Sequence, residues 1–171
     1  ILRWRYHQPD NNATIYKNVD ARLIGGEATF SYDLTTNWRT DLGLAYVWAN
    51  NETDDMAIAQ IPPLSGFVSL DYHAHKWQAG ARVNASAKQT RVDDDPRTGS
   101  GLDSGETPGW AVMNLYGSYR FTDAIALDAG IDNLFDKTYA NHLNRASAFD
   151  PTQIQVNEPG RSLWVRLTAK F

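Results

Sequence analysis

The sequence predicts an all-β fold of antiparallel strands, and three observations carry that prediction. Apolar and polar residues alternate with a period of two along almost the whole chain, a pattern that a helix of 3.6 residues per turn does not produce. Aromatic residues are plentiful, with 6 Trp, 8 Tyr and 6 Phe among 171 residues, as suits a pleated surface. The 7 prolines fall mostly between the periodic segments, where a missing N–H does not break a ladder.

The alternating segments number about eight. Leu2, Trp4 and Tyr6 alternate with Arg3, Arg5 and His7. Ile24, Ala28, Phe30, Tyr32 and Leu34 alternate with Glu27, Thr29, Ser31 and Asp33. Leu42, Leu44, Tyr46 and Trp48 alternate with Arg39, Asp41 and Gly43. Leu64, Val68, Leu70 and Tyr72 alternate with Ser65, Ser69 and Asp71. Trp77, Ala79, Ala81, Val83 and Ala85 alternate with Gln78, Arg82, Asn84, Ser86 and Lys88. Met113, Leu115, Tyr119 and Phe121 alternate with Asn114, Ser118 and Arg120. Ile125, Leu127, Ala129 and Ile131 alternate with Ala126, Asp128, Gly130 and Asp132. Leu163, Val165, Leu167, Ala169 and Phe171 alternate with Ser162, Trp164, Arg166, Thr168 and Lys170. Short turns near 35–37, 73–76 and 122–123 take turns with long polar loops at 50–63, 93–109 and 141–160. Sequential strands therefore form hairpins, with short turns at one end of the sheet and long loops at the other.

Alternation alone does not say which face is the core. A soluble sandwich turns its apolar face inward, whereas a transmembrane barrel turns it to lipid and lines its lumen with the polar face. Three features favour lipid. Several strands exceed ten residues, enough to cross a bilayer at a steep tilt. The polar face carries mid-strand charges, namely Glu27, Arg82, Arg120, Asp128 and Arg166, which are expected to face a wet lumen. Aromatics on the apolar face gather at strand ends, with Tyr46 and Trp48 toward a long loop and Tyr72, Trp77, Tyr119, Phe121 and Phe171 toward the short turns, as in interfacial girdles. Trp164 is expected to point inward against a neighbour. The strands either close as a small barrel or form one arc of a larger one, and a chain that starts inside a strand at Ile1 favours the arc.

Composition excludes several classes. The net charge is −4 and no basic patch is present, which argues against nucleic acid. With no cysteine, disulfides and thiolate metal sites within the chain are excluded. No apolar run reaches the roughly 18 residues of a membrane-spanning helix. No G-x-S-x-G, H-E-x-x-H or phosphate-binding glycine loop occurs, so no enzymatic constellation is evident; the glycine-rich run 97–105 precedes no helix.

The run "IDNLFDKTYANHLN" followed by "NEPGRSLWVRLTAKF" resembles the C-terminal end of TonB-dependent outer-membrane receptors. The matching residues are Asn133, Leu134, Phe135, Asp136 and Tyr139, then Pro159, Gly160, Arg161 and the final Phe171. The strand "ARLIGGEATFSYDL" also resembles a recurrent family strand, with Gly26 and Glu27 before the alternation. The wording of the tail is similar to the copper-receptor branch. The resemblance spans 1–171 as the C-terminal segment of a barrel of about 22 strands, with the N-terminal plug absent from this sequence.

That resemblance implies TonB-dependent uptake of a metal ion, metal chelate or cobalamin across the bacterial outer membrane. Copper is the suspected cargo. The implied partners are the TonB energy-coupling complex, reached through the plug, outer-membrane lipid and lipopolysaccharide, the transported ligand, and the barrel-assembly machinery, which would recognise Phe171. No resident cofactor is implied. A self-contained eight-stranded barrel with a structural or adhesion role is the alternative.

Candidate ligand sites are sparse. His142 lies in a long loop, where an incoming metal could meet it. Asp54 and Asp55, in "NETDD", and the run 93–95 group carboxylates that either draw cations to the mouth or stand as ordinary loop charge bridged to lipopolysaccharide. His73 and His75 share a strand face, but at a short turn, where solvation is the plain expectation. Met56 and Met113 are the only soft donors.

Overall fold

The computed structural model describes residues 2–8, 13–94, 103–144 and 155–170, with backbone alone for 2–15 and for residue 17. Strand β1 (Leu2–Gln8) pairs antiparallel with β2 (Ala13–Val19) in a hairpin of its own. The rest is one antiparallel sheet. It comprises β3 (Ala21–Asp33), β4 (Trp38–Asn51), the two-residue β5 (Met56–Ala57), β6 (Ser65–His73), β7 (Trp77–Ser86), β8 (Trp110–Arg120), β9 (Ile125–Asp132) and β10 (Ser162–Ala169). Apart from β5, which pairs with the end of β4, the strands lie side by side in chain order from β3 to β10. Among the described residues there is no helix.

Two details differ from the periodicity. The N-terminal run was expected to join the wall, but it folds back on β2 instead. The register runs from Leu2 opposite Val19 to Gln8 opposite Ala13, so closing a short loop outcompetes a longer-range partner. β2 itself has mixed faces, which hid it. The loop 50–63 also contains β5, and β4 extends to Asn51, because Asn50 and Asn51 pair with Ala57 and Met56.

The turn ends are as expected. Residues 34–37, 74–76 and 121–124 make tight turns, while 52–64, 87–109 and 133–161 connect the opposite ends. At 121–124 the hydroxyl of Thr122 accepts the N–H groups of Ala124 and Ile125 at 3.2 and 3.0 Å, satisfying the turn locally. Lys170 is held there too, its N–H donating to the Ala124 carbonyl at 2.9 Å. Phe171 lies outside the described residues.

The sheet is apolar on the outside. Leu163, Val165 and Leu167 are 76, 72 and 67% exposed, and the buried apolar residues among those described are Val19, Ala49 and Val112. Leaving one large apolar side chain in water forgoes roughly 1.5–3 kcal/mol. Ten or more such residues across β3 to β10 would forgo more than the whole stability of an ordinary domain, about 5–15 kcal/mol. A soluble sandwich is thereby ruled out, and lipid is the solvent this face fits. Trp38, Tyr72 and Trp77 form a row at the short-turn rim with neighbouring ring centroids 5.0 Å apart, and Tyr119 meets Phe121 at 4.9 Å.

The polar face is laced together across strands. Tyr116 donates its hydroxyl hydrogen to Asp71 at 2.7 Å, and Ser69 donates to the other oxygen of Asp71 at 3.0 Å. Arg82 stands 3.6 Å over the ring of Phe67 and donates to Asn84 at 3.0 Å. Arg39 lies between Asp33 and Asp41, and Arg166 is 3.7 Å from Asp128. Three rings on this face sit on cross-strand glycines: Phe67 on Gly43, Tyr116 on Gly80 and Trp164 on Gly130. Trp164 thus points inward, as its position in the alternation predicts.

Candidate functional site

The long loops close over the polar face at one end of the sheet. Between them lies a cavity of about 530 Å³, lined from the strands by Glu27, Thr29, Phe67 and Asn84 and from above by Asn141, His142 and Asn144. Trp110, at the start of β8, borders it, and the Tyr139 ring lies 4.4 Å from the Trp110 ring. Burial pushes the Tyr139 phenol up, and the carboxylates of Glu158 and Asp132 add to this, so the group is neutral at ordinary pH.

The stretch that carried the resemblance is a clasp between the strand leaving the wall and the one returning. Leu134 extends the β8–β9 pairing by donating to the Met113 carbonyl at 2.8 Å. Asn133 and Asp136 then take left-handed φ values of 50° and 54°, which Asn and Asp tolerate better than most residues. The Asn133 amide donates to the carbonyls of Lys137 at 2.8 Å and Pro159 at 3.3 Å, and its Oδ1 accepts the Lys137 N–H at 2.9 Å. Asp136 accepts the Arg161 N–H at 2.8 Å, and a Cβ at Gly160 would fall 2.8 Å from that same oxygen. The Tyr139 carbonyl accepts the Glu158 N–H at 2.8 Å. Phe135 projects outward, exposed.

The loop cluster is tied from all three connections. Gln89 and Thr107 exchange backbone hydrogen bonds at 2.9 and 3.1 Å, and the Gln89 side chain donates to the Ile61 carbonyl at 2.6 Å. Arg91 donates to the Ala49 carbonyl and to Asn50 Oδ1, while its guanidinium lies 5.0 Å from the Trp48 ring. At the centre, His142 and Asp103 are 1% and 0% exposed at the side chain, with Nε2 3.5 Å from Asp103 Oδ1. His142 Nδ1 is 2.8 Å from Thr107 Oγ1. The Thr107 hydroxyl donates to Gln155 Oε1 at 3.2 Å, and Gln155 Nε2 donates back to the His142 carbonyl at 3.0 Å. Asp103 accepts the N–H groups of Gln60 at 2.9 Å and Asp93 at 3.0 Å. Burial holds the His142 pKa below the ordinary histidine value, with Asp103 opposing in part.

The sequence candidates are not brought together. Asp54 accepts from Asn51 Nδ2 at 2.9 Å, inside a turn in which Asn51 Oδ1 also accepts the N–H groups of Thr53 and Asp54. Asp55 has a φ of 51° and lies beside Asn50. His142 sits apart from both, with Asp103. Among the described residues no three His, Asp or Glu side chains converge as a metal cluster. His73 and His75 are exposed at the short-turn end, Asp93 is buried, and Asp95 lies outside the described residues. Glu27, Arg82, Arg120, Asp128 and Arg166 all stand on the polar face. Asp103, Thr107 and Gln155 were not foreseen, because their partners lie 10 to 48 residues away and leave no local pattern.

The family model described as "TonB dependent receptor-like, beta-barrel" matches residues 5–134. The chain belongs to the TonB-dependent receptor family. As a receptor wall of this family it lies in the outer membrane of a Gram-negative bacterium, and its relatives are receptors and transporters rather than enzymes. It is similar to the ferric enterobactin receptor of Pseudomonas aeruginosa, 31% identical over 94% of this chain and 23% of that protein. Among solved structures it resembles the copper transporter OprC, with a TM-score of 0.88 and 39% identity over 99% of this chain and 27% of that one. It also resembles a ferric enterobactin receptor of Pseudomonas aeruginosa, with a TM-score of 0.66 and 25% identity over 94% of this chain and 24% of that one. The chain therefore spans about a quarter of the length of these relatives.

Proposed function

We propose that this chain is the C-terminal wall segment of a larger TonB-dependent receptor barrel, and that the whole receptor imports a scarce metal species, with copper as the cargo. The open sheet carries the first half of that reading. Among the described residues nothing pairs with the outer edges of β3 and β10, and they do not pair with each other. In lipid each unpaired backbone group costs several kcal/mol, so the arc needs further strands to close. This speaks against a self-contained small barrel. Energy would come from TonB through the plug domain of the receptor, and assembly would use the aromatic residue Phe171.

The copper reading is supported by the relatives. The likeness to the copper transporter has a TM-score of 0.88, against 0.66 for the ferric enterobactin receptor. Met113 is on the lipid-facing side of β8 opposite Val83, which leaves Met56 as the soft donor near the loops. Other copper ligands would have to come from elsewhere in the receptor. The test is uptake by cells that depend on the intact protein. Copper accumulation that disappears without the protein, or when TonB is inactivated, is expected. Unchanged copper uptake alongside lost ferric catecholate uptake would sink the copper assignment.

A further inference from the structure

The geometry points to a divalent-metal clasp in which His142 Nε2 and Asp103 Oδ1 hold a zinc-class ion that locks the outer loops together. The reading concerns an ion resident in the wall, whatever the cargo.

Its first support is the tautomer. With the Thr107 hydroxyl hydrogen given to Gln155 Oε1, the 2.8 Å contact with His142 Nδ1 is met by the tautomer whose Nδ1–H donates to Thr107. The neutral ring then presents the lone pair of Nε2 to Asp103. That nitrogen is buried and, among the described residues, has no hydrogen-bond partner. A lone pair and a carboxylate turned toward each other out of water repel unless something positive lies between them.

Its second support is the separation. At 3.5 Å the pair is well beyond the 2.7–2.9 Å of a charge-assisted hydrogen bond. An ion about 2.1 Å from each atom would subtend an angle of about 113°, near the tetrahedral value. The outer contacts would also hold the two ligands in place. The distal ring nitrogen is anchored by Thr107, and the carboxylate is oriented by the N–H groups of Gln60 and Asp93. Imidazole with carboxylate suits zinc or copper(II). The clasp would join the 52–64, 87–109 and 133–161 connections, which supply Gln60, then Asp103 and Thr107, then His142 and Gln155.

The test uses the intact protein in detergent and zinc as the probe, so that failure of the copper reading and failure of the clasp are read separately. Zinc binding at pH 7.5 is expected with one site that His142→Ala and Asp103→Asn each abolish, while both variants keep the heat-modifiable mobility of a folded barrel. Thr107→Val, which removes the anchor and not a ligand, is expected to weaken zinc by about tenfold or more. Affinity should fall toward pH 5.5 as the ring is protonated, and a chelator should speed protease cleavage of the loops in the wild type alone. Equal zinc binding in wild type and variants would overturn the clasp. So would loops that tighten on acidification in the presence of chelator, since a proton would then be the bridge.

Discussion

Trp164 of β10 lies over Gly130 of β9, its cross-strand partner, so closely that a Cβ at residue 130 would fall 2.6 Å from Trp164 Cε2 and 2.9 Å from the Leu115 carbonyl oxygen. Gly130→Ala should therefore destabilise the last hairpin by about 1–3 kcal/mol, seen as a lower temperature for loss of heat-modifiable mobility. Adding Trp164→Leu should recover part of the loss but not all, because the backbone carbonyl stays in place. A double variant no more stable than Gly130→Ala would refute the ring-on-glycine account.

The Asn133 clasp makes a local prediction. Asn133→Ala removes three hydrogen bonds at once and puts alanine at a φ of 50°. A loss of about 2–4 kcal/mol of local stability is expected. Hydrogen exchange at the Lys137 amide should accelerate strongly, with little change in the middle of β8. Asn133→Gly should be milder than alanine on the backbone count alone. Alanine and glycine behaving alike would leave the side-chain bonds as the whole effect.

The two faces can be distinguished by fluorescence. Single-tryptophan variants that retain Trp38 or Trp77 should be quenched by lipids brominated near the headgroup, since both rings stand on the outer face at the short-turn rim. A variant that retains Trp164 should be insensitive to brominated lipid. Quenching of Trp164 as strong as that of Trp77 would reverse the assignment of faces.

His142 sets a pH dependence in metal-free protein. Its pKa lies below the ordinary value of 6.5, chiefly through burial, so the folded loops bind fewer protons than opened loops between the two values. The stability that this contributes is present above about pH 6.5 and is lost as the pH falls through that window toward the folded pKa. Protease cleavage of the loops should accelerate on acidification, and His142→Gln should flatten the profile. A profile identical in the variant would remove His142 as the cause.

Much of the fold was legible because a wall one strand thick repeats the same two-residue rule. Leu163 to Ala169 could be read without knowing the partner strand, since lipid on one side and water on the other impose alternation everywhere. The β1–β2 hairpin was misjudged because residues 13–19 have no clean apolar face. β5 is two residues long, below the length at which periodicity means anything. The loop site was the least legible. His142 stood out as a residue type, but Asp103 and Thr107 come from a different connection, Gln155 lies 13 residues further along its own, and none of them carries a spacing signal.

By itself the sequence determined the strand count of the wall to within one, the alternation of turns and loops, and the family, through Asn133 to Tyr139 and Pro159 to Arg161. These rest on local chemistry: side-chain polarity every second residue, and turn residues where φ must be positive. Tertiary structure alone decided that β3 and β10 do not pair among the described residues, that aromatic rings sit on Gly43, Gly80 and Gly130, and that His142 is buried against Asp103. Each of these depends on register and on loop closure between distant segments, and pairing energies of that kind leave no trace in the local order of residues.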